Sequence, residues 1–347
     1  MPPARIIDVH AHFVPRGLPD LAAATGDRRW PVLLVDGEHA AVCVDGVAVR
    51  RAGPSLHDVG ARIRALDAAG VDRQVVSPVP VTLVDWARGE PAVRWCRALN
   101  DGLAAAVAGS RGRLLGLGAV PLGPGADTVA DAVREAERVA DLGLAGLELP
   151  TVAGGRELDD PQLYPLWDAV QRLGLALFVH PTDAHGAIRR TAAPYGFGIG
   201  MLADTAMAAT ALIFGGVLAR FPGLRIALAH GCGALPWTYP RTRLTAGIGG
   251  ADVAAADELL RRLWVDTLVF DPEHIRLLRH RFPVAQLMLG TDDPLVPGQL
   301  VEAQQVVREA ARRGVLDDAE CAGVLGGNAE RFLAGRTGDR VTSRGSA

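Results

Sequence analysis

The stretch IIDVHAH, at residues 6–12, decides the fold of this chain. It contains the end of a predicted strand over Arg5–His10, and it places His10 and His12 two positions apart. In an extended chain, positions i and i+2 point to the same side, so both imidazoles can reach one ion. The first strand therefore ends in a candidate metal-binding pair.

Seven further β-like runs follow, and segments of helical period separate them along most of the chain. Alternation of this kind favours a parallel sheet, and eight strand-and-helix units indicate an α/β protein with a closed (β/α)8 TIM barrel. A doubly wound sheet usually has fewer strands. The predicted runs are Arg73–Pro78, Leu114–Pro121, Gly146–Pro150, Ala176–His180, Arg225–His230, Leu263–Thr267 and Gln286–Gly290.

Two segments lie outside this alternation. Residues 30–50 hold short β-like runs separated by Asp36-Gly37 and Asp45-Gly46, which are type I′ hairpin signals. We therefore expect a small antiparallel β insertion, the flap, after the first strand. The segment Asp317–Leu333 is predicted as a C-terminal helix. The chain is thus expected to form one domain over residues 1–335, followed by a flexible tail at 336–347.

The composition is typical of a soluble globular protein, with 347 residues of which 49% are apolar and 22% charged. The net charge of −3 favours neither nucleic acid nor an anionic membrane as a partner. Four cysteines show no CxxC spacing, and neither a signal peptide nor a long uncharged apolar run is present. These features predict a cytoplasmic protein.

The chain has no lysine, because all 36 of its basic residues are arginine. A coding bias toward arginine explains this most simply. The absence nevertheless excludes a Schiff base, a P-loop lysine and the carboxylated lysine that bridges two metal ions in some barrels.

Candidate ligands follow four of the predicted strands. His10 and His12 end the first, His180 the fifth and His230 the sixth, and Asp292 follows the eighth. Active sites of such barrels gather at the carboxyl ends of the strands, so these side chains should meet. A lone histidine is usually structural, but four strand ends coincide here. Three of these four imidazoles together with the carboxylate would form a ligand set that suits zinc, manganese or iron(II).

The chain resembles the amidohydrolase superfamily over nearly its whole length. It is most similar to the branch typified by aminocarboxymuconate semialdehyde decarboxylase. The resemblance rests on four stretches: IIDVHAHFVP at 6–15, RIRALDAAGVDRQVVSPVP at 62–80, LAHGCGALPW at 228–237 and LGTDDP at 289–294.

The resemblance implies one divalent ion, Zn²⁺ or alternatively Mn²⁺, bound by His10, His12, His180 and Asp292. It implies that His230 transfers protons at the ion, with Asp292 also part of the catalytic apparatus. The alternative, that His230 is a further ligand, stays open because zinc sites can expand their coordination. The missing lysine agrees with a single ion.

The resemblance also places two arginines near the substrate. Arg50 stands near the position of a substrate-binding arginine, although Arg51 is adjacent and the register is open. Arg241 lies eleven residues after His230, as does a family arginine that reaches across a dimer interface. Either guanidinium could bind a carboxylate with two hydrogen bonds. We therefore expect a homodimer and a small carboxylic acid as substrate.

The predicted reaction is nonoxidative decarboxylation of a small unsaturated or aromatic carboxylic acid. The HxH pair is similar to the semialdehyde decarboxylase pattern, whereas several aromatic-acid decarboxylases carry glutamate at the position of His10. Ring-opening hydrolases also have HxH, so a hydrolase that opens a lactone or cyclic amide is the first alternative. The second is a non-catalytic metal-binding barrel.

Overall fold

The computed structural model describes residues 5–125, 127–182, 189–190 and 193–334. Eight parallel strands lie next to one another in chain order, which confirms the predicted (β/α)8 barrel. The strands are β1 Ile7–His12, β2 Arg73–Ser77, β3 Leu114–Gly118, β4 Gly146–Pro150, β5 Ala176–His180, β6 Arg225–Leu228, β7 Trp264–Asp266 and β8 Leu287–Met288.

Backbone hydrogen bonds between β1 and the chain after β8 close the barrel. The amide of Val9 donates to the Leu289 carbonyl at 2.9 Å, and the amide of Asp292 donates to the His10 carbonyl at 2.8 Å. The amide of His12 then donates to the Asp293 carbonyl at 2.8 Å. The closure therefore brings Asp292 beside the two histidines of β1.

Helices surround the sheet and follow the strands in turn. The α-helices are Leu21–Thr25, Val59–Ala69, Gly89–Gly109, Asp127–Asp141, Tyr164–Leu173, Met201–Phe214, Val217–Arg220, Leu235–Ile248, Val253–Leu260, Pro272–Arg281, Gln299–Arg312, Asp318–Ala322 and Asn328–Leu333. The last two are joined by a π-helical turn at Gly323–Gly327, so the predicted terminal helix is confirmed. The predicted tail at 336–347 lies outside the described residues.

The predicted flap is a three-stranded antiparallel sheet. Its strands are Val32–Asp36, His39–Val44 and Val47–Ala52, so it ends two residues later than predicted. Ala40 and Val42 are buried and pack with Val14, which fixes one face of the flap against the body of the protein.

Apolar side chains fill the barrel below the site. Val9, Val75 and Phe178 belong to one buried cluster, and Phe332 of the terminal helix joins it. Because these residues are at most 2% exposed, the lower barrel is a packed core. The Phe178 ring lies 5.0 Å from the His10 ring, so the core directly supports the floor of the site.

The sixth strand ends two residues earlier than the sequence predicts. The prediction extended it to His230, but β6 ends at Leu228 and His230 adopts left-handed backbone angles, φ 56° and ψ 42°. The amides of His230 and Gly231 both donate to the Asp266 carboxylate, at 2.9 Å each. These two charge-assisted bonds hold a turn that a bulky residue would otherwise avoid.

One helical stretch, Gly196–Phe214, is long and apolar enough by composition to cross a membrane. It follows β5, and its buried residues include Asp204, Thr205 and Ala208. Buried side chains are ordinary in a helix that packs on a barrel, so we interpret this stretch as a barrel helix.

Candidate metal centre

The four predicted ligands lie together at the carboxyl end of the barrel. His10, His12, His180 and Asp292 each offer one nitrogen or oxygen atom, and these atoms lie within 4.8 Å of one another. The three imidazoles are at most 3% exposed. Among the residues that the structure describes, this is a group with the composition and spacing of a metal site.

Each ligand imidazole is oriented by a hydrogen bond from its Nδ1 atom. His12 bonds the Pro78 carbonyl at 2.9 Å, His180 bonds the Pro181 carbonyl at 2.7 Å, and His10 bonds the Asp266 carboxylate at 2.7 Å. Because these oxygens only accept, each Nδ1 carries the proton. Each Nε2 is therefore left with a lone pair, as a metal ligand requires.

The atoms that face the centre lack hydrogen-bond partners. They are the Nε2 atoms of His10, His12 and His180 together with Oδ1 of Asp292. Unsatisfied polar atoms are costly to bury, and here four of them converge on one point. A divalent ion would satisfy all four at once, so the residues fit such an ion.

The charges at the centre favour a cation. Burial alone would raise the pKa of Asp292, but the His12 ring, whose Nε2 lies 3.0 Å from Oδ1 of Asp292, and the nearby His10 lower it to about 2. Burial would likewise lower the pKa of His10, yet Asp266 and Asp292 raise it to about 9. Two ionised carboxylates, Asp266 and Asp292, thus face this region and favour a positive charge there.

His230 stands beside the ligands. Its ring lies 5.3 Å from the His10 ring and 5.0 Å from the His180 ring, measured between centroids. Burial and the positive charge of His10 lower the pKa of His230 to about 4. Its imidazole is therefore neutral at neutral pH and can accept a proton.

Asp266 connects the ligands to His230. Its carboxylate accepts from His10 Nδ1 and from the amides of His230, Gly231 and Leu268. Gly290 packs against it so closely that a Cβ there would lie 2.7 Å from Cβ of Asp266. Asp266 ends a predicted strand, where an acid can either support the ligands or cap the next helix, and its contacts favour the first role.

Asp266→Asn should weaken metal binding about 10- to 100-fold, the range typical of an outer-shell partner. The amide cannot accept from His10 Nδ1 with the strength of a carboxylate, so the ring loses its fixed orientation. Competition with a metal chelator measures the effect. Asp252→Asn is the matched control, because Asp252 also accepts two backbone amides but lies at the start of a distant helix. Equal affinity in the two variants would contradict this role.

A buried arginine supports the centre from below. Arg62 is fully buried and donates to the His12 carbonyl at 2.6 Å and to the Asp293 carboxylate at 3.2 Å. Asp8 accepts from Gln74 at 2.7 Å, and Gln74 in turn accepts from Arg62 at 2.5 Å. The network joins β1, β2 and the chain after β8. Asp293, whose position before Pro294 is typical of a turn residue, therefore also anchors the ligand segment.

Glu148 of β4 is a site residue that the sequence analysis did not predict, and it is fully buried inside the barrel. Burial raises its pKa to about 8, although the nearby Ser77 hydroxyl and the charge of His10 act in the opposite direction. No local pattern marks this residue, because one glutamate in a strand does not reveal which way its side chain points.

Glu148→Gln should stabilise the metal-free protein at pH 8 and change its stability little near pH 4.5. The unfolded carboxyl ionises above about pH 4.5, whereas the folded one resists ionisation until about pH 8. Between about pH 4.5 and pH 8 the free energy of unfolding therefore falls, by up to about 4 kcal/mol. Glutamine does not ionise, so the variant avoids this loss. Urea unfolding at both pH values tests this. Glu38→Gln, on the flap, is the control, and a variant as pH-dependent as the wild type would refute the assignment.

Of the two flap arginines, Arg50 faces inward. It pairs across the flap with Val42, which is buried, whereas Arg51 pairs with Ala41 on the other face. The Arg50 guanidinium lies 4.9 Å from the ring centroid of Phe197, which lines the cavity above the ligands. The flap geometry thus favours Arg50, rather than Arg51, as the arginine that faces the site.

Arg241 is not among the described residues that line the cavity above the ligands of its own chain. It is exposed on the helix Leu235–Ile248, on the same face as Trp237, Leu244 and Ile248. These three apolar side chains are 80%, 63% and 79% exposed. Arg241 therefore lies within an exposed apolar stripe one helical turn from the cavity.

Comparison with known proteins agrees with this geometry. The family model described as Amidohydrolase matches residues 7–334. The chain belongs to this amidohydrolase family. Its place within the family is the branch of 2-amino-3-carboxymuconate-6-semialdehyde decarboxylase, as its relatives indicate.

The decarboxylase of that name from Dictyostelium discoideum is 33% identical over 345 residues, covering 94% of this chain and 91% of the relative. A 2-keto-4-carboxy-3-hexenedioate hydratase from a Sphingobium strain is 27% identical, covering 67% of this chain and 68% of the relative. The crystal structure of 5-carboxyvanillate decarboxylase from Sphingomonas paucimobilis superimposes with a TM-score of 0.76 at 26% identity, covering 95% of this chain and 99% of that one.

Proposed function

We propose that this protein is a metal-dependent, nonoxidative decarboxylase of a small unsaturated or aromatic carboxylic acid. The observation that carries the proposal is the convergence of four unsatisfied, pre-oriented ligand atoms beside a neutral His230. The similarity to a named decarboxylase over 94% of the chain supports the reaction type. The ligands would be His10, His12, His180 and Asp292.

The mixed nitrogen and oxygen donors suit zinc, with manganese as the alternative. A bound divalent ion polarises substrate oxygens and stabilises developing negative charge. His230 would take a proton from water and pass it to the substrate carbon as the bond between that carbon and the carboxylate breaks. The electron pair of that bond stays with the substrate, and carbon dioxide leaves. Arg50, above Phe197, would orient a carboxylate from the flap side.

A panel of unsaturated and aromatic acids, each labelled with ¹³C at the carboxyl group, tests this proposal. The metal-loaded protein should release labelled carbon dioxide from at least one acid. Products that keep the labelled carboxylate and gain water would instead support a hydratase, as in the Sphingobium relative, or a lactone- or amide-opening hydrolase. If the protein binds metal but converts no acid, lactone or amide, the result would support a non-catalytic metal-binding barrel.

We further propose a homodimer in which the stripe of Trp237, Leu244 and Ile248 packs against a second copy. Exposed apolar side chains grouped on one helix face are typical of an interface. The arrangement would bring Arg241 to the partner's site, as the family resemblance implies. All four cysteines are free, which agrees with the reducing cytoplasm that we propose as its location.

Mixing inactive Arg241→Ala and His230→Ala subunits should restore activity. In a mixed dimer one site has both its own His230 and the partner's Arg241, so random exchange should recover about a quarter of wild-type turnover. The matched control mixes His230→Ala with Arg308→Ala, a variant of an exposed arginine on another helix. The Arg308→Ala protein should be active on its own, before mixing. No recovery after verified subunit exchange would exclude action across the interface.

A further inference from the structure

The segment that leaves the flap is bonded to the chain that follows the first strand of the barrel. Residues 53–57, the exit segment, connect the flap strand that carries Arg50 to the next helix. The Leu56 carbonyl in this segment accepts from the Val14 amide at 2.8 Å, and the Leu56 side chain is fully buried. Val14 lies two residues after the predicted ligand His12. The flap is thus anchored beside the end of the ligand strand.

Arg62 bonds the exit segment and the ligand strand with one guanidinium. Its Nε donates to the Ser55 carbonyl at 2.9 Å, and its Nη2 donates to the His12 carbonyl at 2.6 Å. Its Nη1 donates to the Asp293 carboxylate at 3.2 Å, next to the predicted ligand Asp292. A planar guanidinium holds such acceptors in fixed relative positions. Arg62 therefore fixes the flap exit relative to two segments that carry predicted ligands.

The Arg62 guanidinium is buried as well as charged. Its side chain is fully buried, whereas its ion-pair partner Asp293 keeps a small exposed fraction. Burial of a charge is costly, and apolar side chains of similar volume often replace a buried ion pair without loss of stability. A residue that only packed its helix against the barrel would therefore not need this charge. The guanidinium is explained if its bonds to the Ser55 and His12 carbonyls have a function.

We propose that Arg62 is a positioning residue that couples the flap, and thereby Arg50, to the candidate metal centre. This inference rests on the proposed function, in which Arg50 orients a substrate carboxylate. The His12 carbonyl holds the guanidinium, and the guanidinium holds the Ser55 carbonyl, which lies five residues after Arg50. Ordering of His12 by a bound ion should therefore order the flap. Reciprocity requires that an ordered flap in turn favours metal binding.

Amide hydrogen exchange of the flap, with and without zinc, tests the coupling and needs no substrate. In the wild type, zinc should slow exchange over Val47–Ala52 about fivefold, the lower end of typical couplings between sites. Arg62→Lys should still bind one equivalent of zinc but lose most of this protection. A single ammonium keeps the charge near Asp293 but cannot reach all the acceptors that a planar guanidinium spans. Arg64→Lys, at an exposed position of the same helix, is the matched control and should keep the protection.

A second variant uncouples the flap without changing Arg62. Two glycines inserted after Gly53 leave the guanidinium and its acceptors in place but lengthen the link between Ser55 and the flap. This variant should also lose the protection by zinc, and it decides the question if Arg62→Lys does not fold. The proposal is overturned if zinc does not slow exchange in the wild-type flap. It is equally overturned if both variants gain the wild-type protection.

A double-mutant cycle tests whether Arg50 is the group that Arg62 positions. Isophthalate is the probe, because one of its carboxylates can meet the ion while the other meets the Arg50 guanidinium. Arg62→Lys should weaken its binding to the zinc-loaded protein about tenfold, the cost of one hydrogen bond to a charged group. In the Arg50→Ala background the same change should have no further effect. In the Arg51→Ala background, the matched control, the full loss should remain. Equal losses in the wild type and in Arg50→Ala would refute the coupling to Arg50.

The two proposals can fail separately. If zinc protects the flap through Arg62 but no acid releases carbon dioxide, the decarboxylase proposal fails and the coupling stands. If carbon dioxide is released but zinc leaves exchange in the flap unchanged, the reaction stands and the coupling is wrong.

Discussion

Asp292→Ala should abolish decarboxylation and stoichiometric metal binding together. The variant removes the one carboxylate among the four ligands and leaves three imidazoles around a point that carries less negative charge. The loss in kcat/KM should exceed the roughly 100-fold that outer-shell partners cost, because a ligand itself is removed. Steady-state kinetics and elemental analysis of the same preparation measure both effects.

Asp36→Ala is the control for this variant, because Asp36 is an exposed acid in the flap. It should keep full activity and a full complement of metal. Circular dichroism should show that both variants are folded. An Asp292→Ala protein that still binds one ion and turns over substrate at the wild-type rate would remove Asp292 from the ligand set.

His230→Asn should lower kcat by about 10²- to 10⁴-fold, the usual contribution of a positioned acid or base. Asparagine is the suitable replacement because it tolerates the left-handed backbone angles of this position, whereas alanine adds strain. The metal content should stay unchanged, since the ligand atoms are those of His10, His12, His180 and Asp292. Steady-state kinetics and elemental analysis of the same His230→Asn preparation measure kcat and metal content.

The matched control is His280→Asn, an exposed histidine at the end of a barrel helix. It should leave kcat unaltered. If His230→Asn loses its metal in proportion to its activity, then His230 is a further ligand, the alternative that the sequence left open. If kcat is unchanged, His230 has no part in proton transfer.

The sequence predicts the barrel and the ligands because their signals are local. A strand end is visible in a short run of residues, and the fold rule that strand ends meet at one face places His10, His180 and Asp292 together. The role of a residue that acts across the barrel is not decided by such a local signal. Asp266 depends on its contacts with His10 and with the turn at His230.

Burial of charge is the other property that the sequence conceals. Arg62 lies in a helix with charged neighbours, and its position in the pattern resembles that of a solvated residue. Only the packed structure shows that it bonds the His12 carbonyl. The left-handed turn at His230 was missed for a related reason, since the carboxylate that holds it is 36 residues away.

The most direct test of the account is the number of divalent ions that each chain binds. Metal-free protein, titrated separately with zinc and manganese and analysed after removal of loosely held metal, should retain one equivalent per chain. The four unsatisfied atoms of His10, His12, His180 and Asp292 define a single point, so one ion fills the site. Retention of no metal, or of two equivalents that both depend on these residues, would contradict the proposed centre.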